Sequence, residues 1–284
     1  MMNNEGKRLL NFSLSNQSKE KNTMLRLLLV TFLLPCITAI GQTTKVYNVN
    51  GQLRKAIIYA PSVSSQSQNL PVVFIFHGHG GNADFVSRKI DIQNHYKEAL
   101  IIFMEGIPGR KSKLDPQGKL NGWQILPNTL ENRDIDFFDI VFEDIHTNYA
   151  IDNNRIYAVG HSNGARFANV LWKERGNLLA AICSASAQGG LMITGLNPIS
   201  VWMYMGKEDN TVPFENQEKS IAIVMKNLGI DGKSGVKNAD MEFFYGKQDT
   251  ELIVQKSNSG HEFPKQSIPE IVAFFKRNKK SVSE

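Results

Sequence analysis

Gly160-His161-Ser162-Asn163-Gly164 stands between an apolar run, RIYAV, and a stretch of helical composition, ARFANVLWKER. A serine on a sharp strand-to-helix turn pushes its hydroxyl out over a sheet edge. The backbone there enters a strained region in which side chains two residues either side would collide, hence the paired glycines. The pattern makes Ser162 a candidate nucleophile. A hydroxyl attacks poorly until a base takes its proton, so another part of the chain has to supply one. On such turns the chain order is nucleophile, acid, histidine. Of the six histidines, His77, His79, His95, His146, His161 and His261, only His261 lies downstream of Ser162. It sits in SNSGHEFP beside a glycine that lets the chain turn, and is the expected general base and then general acid.

The acid is expected after the strand-like run VWMYM, where GKEDNTVPF forms a turn. Asp209 would accept a hydrogen bond from the imidazole and steady the imidazolium. Glu208 is its neighbouring competitor, and Asp231, Asp240 and Asp249 fit less well. A tetrahedral intermediate also needs amides for its oxyanion. FIFHGHGGNAD, residues 74–84, leaves a buried run and enters a glycine-rich turn of the kind that lends one. The expected donors are the backbone N–H groups of Asn163 and His79, with Gly78 as the alternative to His79. His77-x-His79 with Asp84 could suggest a metal pair, but no further ligand follows at metallohydrolase spacing, and Gly-Lys-Ser/Thr for a phosphate loop is absent. The residues therefore favour neither a metal nor a nucleotide, with His77 supporting the loop by hydrogen bonding. Trp123, in LNGWQILP, and His161 are the candidate substrate contacts. An exposed Trp123 could stack on a sugar ring or an aromatic acyl group; capping the core is the equal alternative.

Positioning these residues takes alternating elements. Asn50-Gly51 suits a tight hairpin between TTKVYNV and QLRKAIIYA. PVVFIF (71–76), LIIF (100–103), RIYAV (155–159), AAIC (180–183) and VWMYM (201–205) are continuous apolar runs, as strands covered on both faces require. MEFFY (241–245) and ELIVQ (251–255) follow. Helical spacing marks residues 135–149, 164–175, 217–227 and 267–277. Segment 105–134 has no clear period and reads as a long surface loop that shapes the site. The sum is an α/β domain with a mostly parallel sheet, an antiparallel N-terminal hairpin and helices on both faces. No second domain and no internal repeat is visible.

LLLVTFLLPCITAI, residues 27–40, is too short to span a bilayer comfortably and has the length of a signal-peptide core. Arg26 precedes it, and Ala39-Ile40-Gly41 offers a small-x-small cleavage site, so residues 1–41 are expected to be a lead and signal peptide, cleaved after Gly41. An uncleaved anchor or buried helix is the alternative, and translation from Met24 is open. The catalytic domain is then residues 42–284. The net charge of +5 for all 284 residues falls to +2, 27 basic against 25 acidic, once residues 1–41 are excluded. That gives no nucleic-acid footprint. With Cys36 removed, Cys183 is alone in LAAICSAS, so no disulfide framework is possible and a buried thiol is expected.

FHGHGGNA, DNNRIYAVGHSNGA, MGKEDNTVPF and SGHEFP together resemble the secreted esterase family of polyhydroxybutyrate depolymerases and feruloyl or acetylxylan esterases, over roughly residues 45–277. The resemblance implies an α/β-hydrolase fold, no cofactor, and Ser162, Asp209 and His261 as the triad. Members often carry His-Gly where this chain has Met205-Gly206, and a tryptophan where Phe263 stands. The resulting expectation is a secreted or periplasmic serine carboxylic ester hydrolase acting through an acyl-enzyme on polymer-linked esters. A serine peptidase or thioesterase on the same scaffold, or a non-catalytic carbohydrate-binding descendant, are its competitors.

Overall fold

The computed structural model describes residues 40–61, 69–231 and 235–280. Residues 27–39, which carry the export reading, lie outside the described residues. Among the described residues no helix is long and apolar enough to cross a membrane.

Asn50 and Gly51 both take positive φ, 51° and 84°, and close a hairpin between β1 (Ile40–Val49) and β2 (Gln52–Pro61). Such a pair of angles matches the natural twist of two antiparallel strands. The apolar runs become β3 (Leu70–Phe76), β4 (Leu100–Met104), β5 (Ile151–His161), β6 (Ala181–Ala185), β7 (Ser200–Gly206) and β10 (Glu251–Ser257), which pair in parallel. β8 (Val236–Asn238) and β9 (Met241–Tyr245) add an antiparallel edge. The order across the sheet is β1-β2-β4-β3-β5-β6-β7-β10-β9-β8.

The helices are α1 (Ala83–Lys89), α2 (Arg133–Asn148), α3 (Asn163–Arg175), α4 (Phe214–Leu228) and α5 (Ile268–Arg277). Alternation along the strands sends side chains to two cores. Val72, Phe74 and Phe76 of β3 meet Phe138 and Val141 of α2 and Phe167 of α3. Val73 and Ile75 meet Val86 of α1 and Ile271, Phe274 and Phe275 of α5 on the other face. Cys183 is buried there as a free thiol, its ionisation pushed well up by burial. The fold class read from the sequence is the one observed. Two elements escaped that reading. α1 has only seven residues and β8 only three, too few for a period to declare itself.

Segment 105–134 is tied down rather than loose. Arg54, from β2, is completely buried and donates to Asp134 Oδ1 at 2.8 Å and to the carbonyls of Glu105 and Arg133. Asp134 Oδ2 accepts the Gln124 N–H at 2.7 Å. Arg133 in turn donates to the carbonyls of Ile107 and Pro108. Both ends of the segment are thereby clamped to the same corner of the sheet. Removing one partner of a buried ion pair leaves the other charge stranded at a cost of about 3–5 kcal/mol. Asp134→Ala is expected to lower unfolding free energy by that amount in urea titration; a loss under about 1 kcal/mol would show that the pair holds nothing.

Candidate active site

Ser162 stands between β5 and α3 with φ 55° and ψ −116°, a conformation that L-residues avoid unless their surroundings impose it. The surroundings are visible. A β-carbon on Gly164 would fall onto the carbonyl oxygens of Phe76 and His77, and one on Gly160 would fall onto the Gly164 carbonyl. Only glycine lets the head of α3 press this closely against the end of β3. The Ser162 amide donates to the Ala185 carbonyl at 2.8 Å, which fixes the turn to the neighbouring strand.

Asp209 lies three residues past the end of β7, His261 four past the end of β10. The two loops are zipped together: Lys207 and Glu208 amides donate to the carbonyls of Ser257 and Ser259. Gly206 is needed for this, since a β-carbon there would strike the carbonyls of Ser259 and Gly260. Tyr204 Oη meets Ser257 Oγ at 2.9 Å and Ser259 Oγ at 2.5 Å, and Ser186 Oγ donates to the Glu262 carbonyl at 2.7 Å. His261 is thus held from two sides.

The result is one line of hydrogen bonds. His261 Nδ1 is 2.8 Å from Asp209 Oδ2, and His261 Nε2 is 2.7 Å from Ser162 Oγ. Asp209 is an acceptor only, so it places the proton on Nδ1 and leaves Nε2 bare to accept from the serine hydroxyl. The Asp209 side chain is wholly buried, and its remaining lone pairs are filled. Oδ1 accepts the amides of Thr211 and Val212, both at 2.8 Å, and Oδ2 accepts Gln217 Nε2 at 3.0 Å. Gln217, on the first turn of α4, had no signal in the sequence: glutamine eight residues after an aspartate announces nothing. Glu208, the competing acid, points to solvent.

Asn163 opens α3, so its amide has no carbonyl one turn back to bond. Gly78 and His79 line the cleft beside Ser162. The backbone bonds that close their loop run from Gly80 to the Asn121 carbonyl and from Gly81 to the Gly78 carbonyl, and neither uses the His79 amide. Both nitrogens of His77 are committed to backbone: Nδ1–H donates to the Gly78 carbonyl at 2.7 Å, and Nε2 accepts the Gly106 amide at 2.9 Å. Burial pushes its pKa down to about 4. Asp84, the third member of the metal alternative, is 2.6 Å from Lys55 Nζ.

Trp123 does not contact substrate space. It is fully buried, stacks on Phe167 at 5.2 Å, and meets Phe76 edge-on at 5.3 Å. Its indole N–H donates to the His77 carbonyl at 2.9 Å, while its own backbone exchanges two hydrogen bonds with the Asn163 side chain. The stacking role is corrected to a structural one: an indole needs a partner for its N–H, and His77 offers it inside the core. His161 does line the cleft, 5.1 Å from the His261 ring. Burial, reinforced by its neighbour His261, pushes its pKa down to about 3. The cleft has a volume of about 620 Å³ and an apolar wall that includes Phe85, Leu114, Leu120 and Phe263.

No family model matches the chain. Feruloyl esterase D of Neurospora crassa is 23% identical over 177 residues, which is 61% of this chain and 58% of that protein. The chain spans 50% and 58% of the length of the two curated relatives it matches. Among solved structures, the ferulic acid esterase AmCE1/Fae1A from Anaeromyces mucronatus superposes with a TM-score of 0.57 at 15% identity, covering 86% of this chain and 92% of that one. Acetyl xylan esterase from Aspergillus awamori gives 0.58 at 15% identity, covering 84% and 99%. The chain has the α/β-hydrolase fold, and the resemblance to esterases of that fold, read first from the motifs, stands.

Buried His77 and half-buried His161, both with lowered pKa values, have a consequence for acid stability. Their folded pKa values lie below the ordinary 6.5, so between about 4 and 6.5 the unfolded chain binds more protons than the folded one. Their stabilisation is complete above pH 6.5 and is lost on acidification, at about 1.4 kcal/mol per pH unit for each histidine. Urea midpoints taken from pH 7 to pH 4.5 should fall accordingly; a flat profile would mean that these imidazoles are charged in the fold.

Proposed function

We propose that this protein is a serine carboxylic ester hydrolase that works through an acyl-enzyme. The observation that carries the reading is the continuous line from Ser162 Oγ through His261 to Asp209, at 2.7 and 2.8 Å, with the serine held at positive φ over an open cleft. In the proposed reaction His261 Nε2 takes the proton as Ser162 Oγ bonds to the ester carbonyl carbon. The carbonyl oxygen becomes an oxyanion facing the amides of Asn163 and His79, or Gly78 in place of His79. As the intermediate collapses, His261 returns the proton to the departing alcohol. Water then repeats the cycle on the acyl-enzyme and frees the acid. Asp209 keeps the imidazole in the tautomer that can accept, and Gln217 and two amides keep Asp209 in place.

The same reading makes residues 42–284 one catalytic domain and the chain an exported enzyme, with the apolar run at 27–40 as its support. It also takes polymer-linked esters, feruloyl or acetyl-xylan or polyhydroxyalkanoate in type, as the substrate class. The esterase names of the relatives support that extension.

A panel of p-nitrophenyl acetate, methyl ferulate, a thioester and a peptide, run on wild type and Ser162→Ala, tests the reaction. Oxygen esters should be preferred, and the variant should lose on the order of 10⁴-fold or more in kcat. Equal turnover by the variant would remove the mechanism. Trp123→Phe, which keeps the packing but loses the N–H to His77, is expected to lower kcat about tenfold with KM little changed, because it loosens the turn that carries the oxyanion donors. A change confined to KM would return Trp123 to the substrate site.

A further inference from the structure

Asn121-Gly122-Trp123, inside segment 105–134, runs between the two stretches of chain that carry the oxyanion donors and grips each by two hydrogen bonds. On one side the Gly80 amide donates to the Asn121 carbonyl at 2.7 Å, and Asn121 Nδ2 donates to the Gly81 carbonyl at 3.1 Å. On the other, the Trp123 amide donates to Asn163 Oδ1 at 2.7 Å, and Asn163 Nδ2 donates to the Trp123 carbonyl at 3.0 Å. Gly122 stands between the two grips. A β-carbon on it would lie 3.0 Å from His79 Nδ1 and 3.1 Å from Asn163 Oδ1, tighter than ordinary van der Waals contact. Gly122 is not among the glycines at positive φ, so its backbone would accept an L-residue and only this crowding opposes one. The gap between His79 and the head of α3 is one glycine wide.

None of the three parties has room to retreat. The Gly122 amide donates to the Ile107 carbonyl at 3.2 Å, and a β-carbon on Gly106 would fall 2.7 Å from the Gly122 carbonyl oxygen. Both ring nitrogens of His79 are enclosed, and Asp115 Oδ2 stands 3.4 Å from Nε2. Asp115 is fixed in turn by the amides of Lys119 and Leu120, at 3.0 and 2.9 Å. Asn163 is tied to Trp123, whose ring is stacked on Phe167 and bonded to the His77 carbonyl. Packing this close passes a displacement on to its neighbours instead of absorbing it.

We propose that Asn121-Gly122-Trp123 is the spacer of the oxyanion hole. Asn121 and Gly122 are then positioning residues that set the separation between the Asn163 amide and the amide lent by the 78–81 loop. The inference rests on the ester-hydrolase reading. Neither residue lines the cleft, so their effect passes through the donors and not through substrate contact. Donors serve a developing oxyanion over a narrow range, about 2.7–3.1 Å. A small outward shift of His79 or Asn163 is therefore felt in the transition state and little in substrate binding.

Phosphonylation of Ser162 by a fluorophosphonate tests the spacer without ester turnover, since the phosphoryl oxygen enters the same hole. Gly122→Ala should slow labelling about tenfold or more, and lower kcat for p-nitrophenyl acetate by a like factor with KM within about twofold. Asn121→Asp keeps the shape and the backbone bond but loses the donor to Gly81; it should move both quantities in the same direction by a smaller factor. If Gly122→Ala does not fold, Asn121→Asp decides by the same measure. Tyr157→Phe removes a buried bond to the Asn278 carbonyl away from the cleft, and should lower the melting temperature while leaving labelling within about twofold. Folded Gly122→Ala that is labelled at the wild-type rate would overturn the spacer and leave the ester-hydrolase reading standing. So would a loss confined to KM, or one that Tyr157→Phe reproduces at an equal drop in melting temperature. Wild type that takes up no fluorophosphonate would remove the ester-hydrolase reading itself, and the spacer with it.

Discussion

The close approach of the first turn of α3 to the last carbonyls of β3 is the constraint on which the rest of this molecule depends. Gly164 has to lie against the Phe76 and His77 carbonyls for the chain to reverse within one residue, and that reversal is what puts Ser162 at φ 55°. Strain at one serine persists only where its surroundings over-determine it. Here they do: β6 accepts the serine amide, α3 is buried against both β5 and β6, and Trp123 pins Asn163 to the β3 end from above. The same packing that strains the serine also delivers the unbonded Asn163 amide and the glycine-rich loop to one place.

A second, independent device brings the histidine. β7 and β10 are neighbours in the sheet although 44 residues separate their ends, Gly206 and Glu251. Their parallel pairing lets the loops that follow them be laced by backbone hydrogen bonds, with Gly206 allowing the contact. Met205-Gly206 supplies the glycine that this contact requires. Asp209 is then buried without penalty because four donors meet its two oxygens, which is the condition for an internal carboxylate to remain a dependable acceptor.

Segment 105–134 illustrates how much polar bonding can do without regular structure. The buried Arg54–Asp134 pair, the Arg133 contacts and the Asp115 turn replace helix or strand bonds and hold Trp123 in the core. This arrangement places two opposite charges in the interior, each paired with the other. Phe85, Leu114 and Leu120 give the neighbouring cleft an apolar wall.

The sequence by itself determined the strands, because continuous apolar runs of four to six residues between turn signals fit strands buried on both faces, and the hairpin, because Asn50-Gly51 tolerates positive φ. It determined the order nucleophile, acid, histidine, and left a single histidine eligible by position. Short elements such as α1 and β8 were hidden, since seven or three residues cannot display a period. Trp123 was ambiguous for a related reason: an aperiodic loop says nothing about which side of it faces water. Gln217, Tyr204 and Ser186 became visible only in three dimensions. Their parts depend on which side chains from distant segments arrive at one point, and that is decided by how the strands are ordered in the sheet.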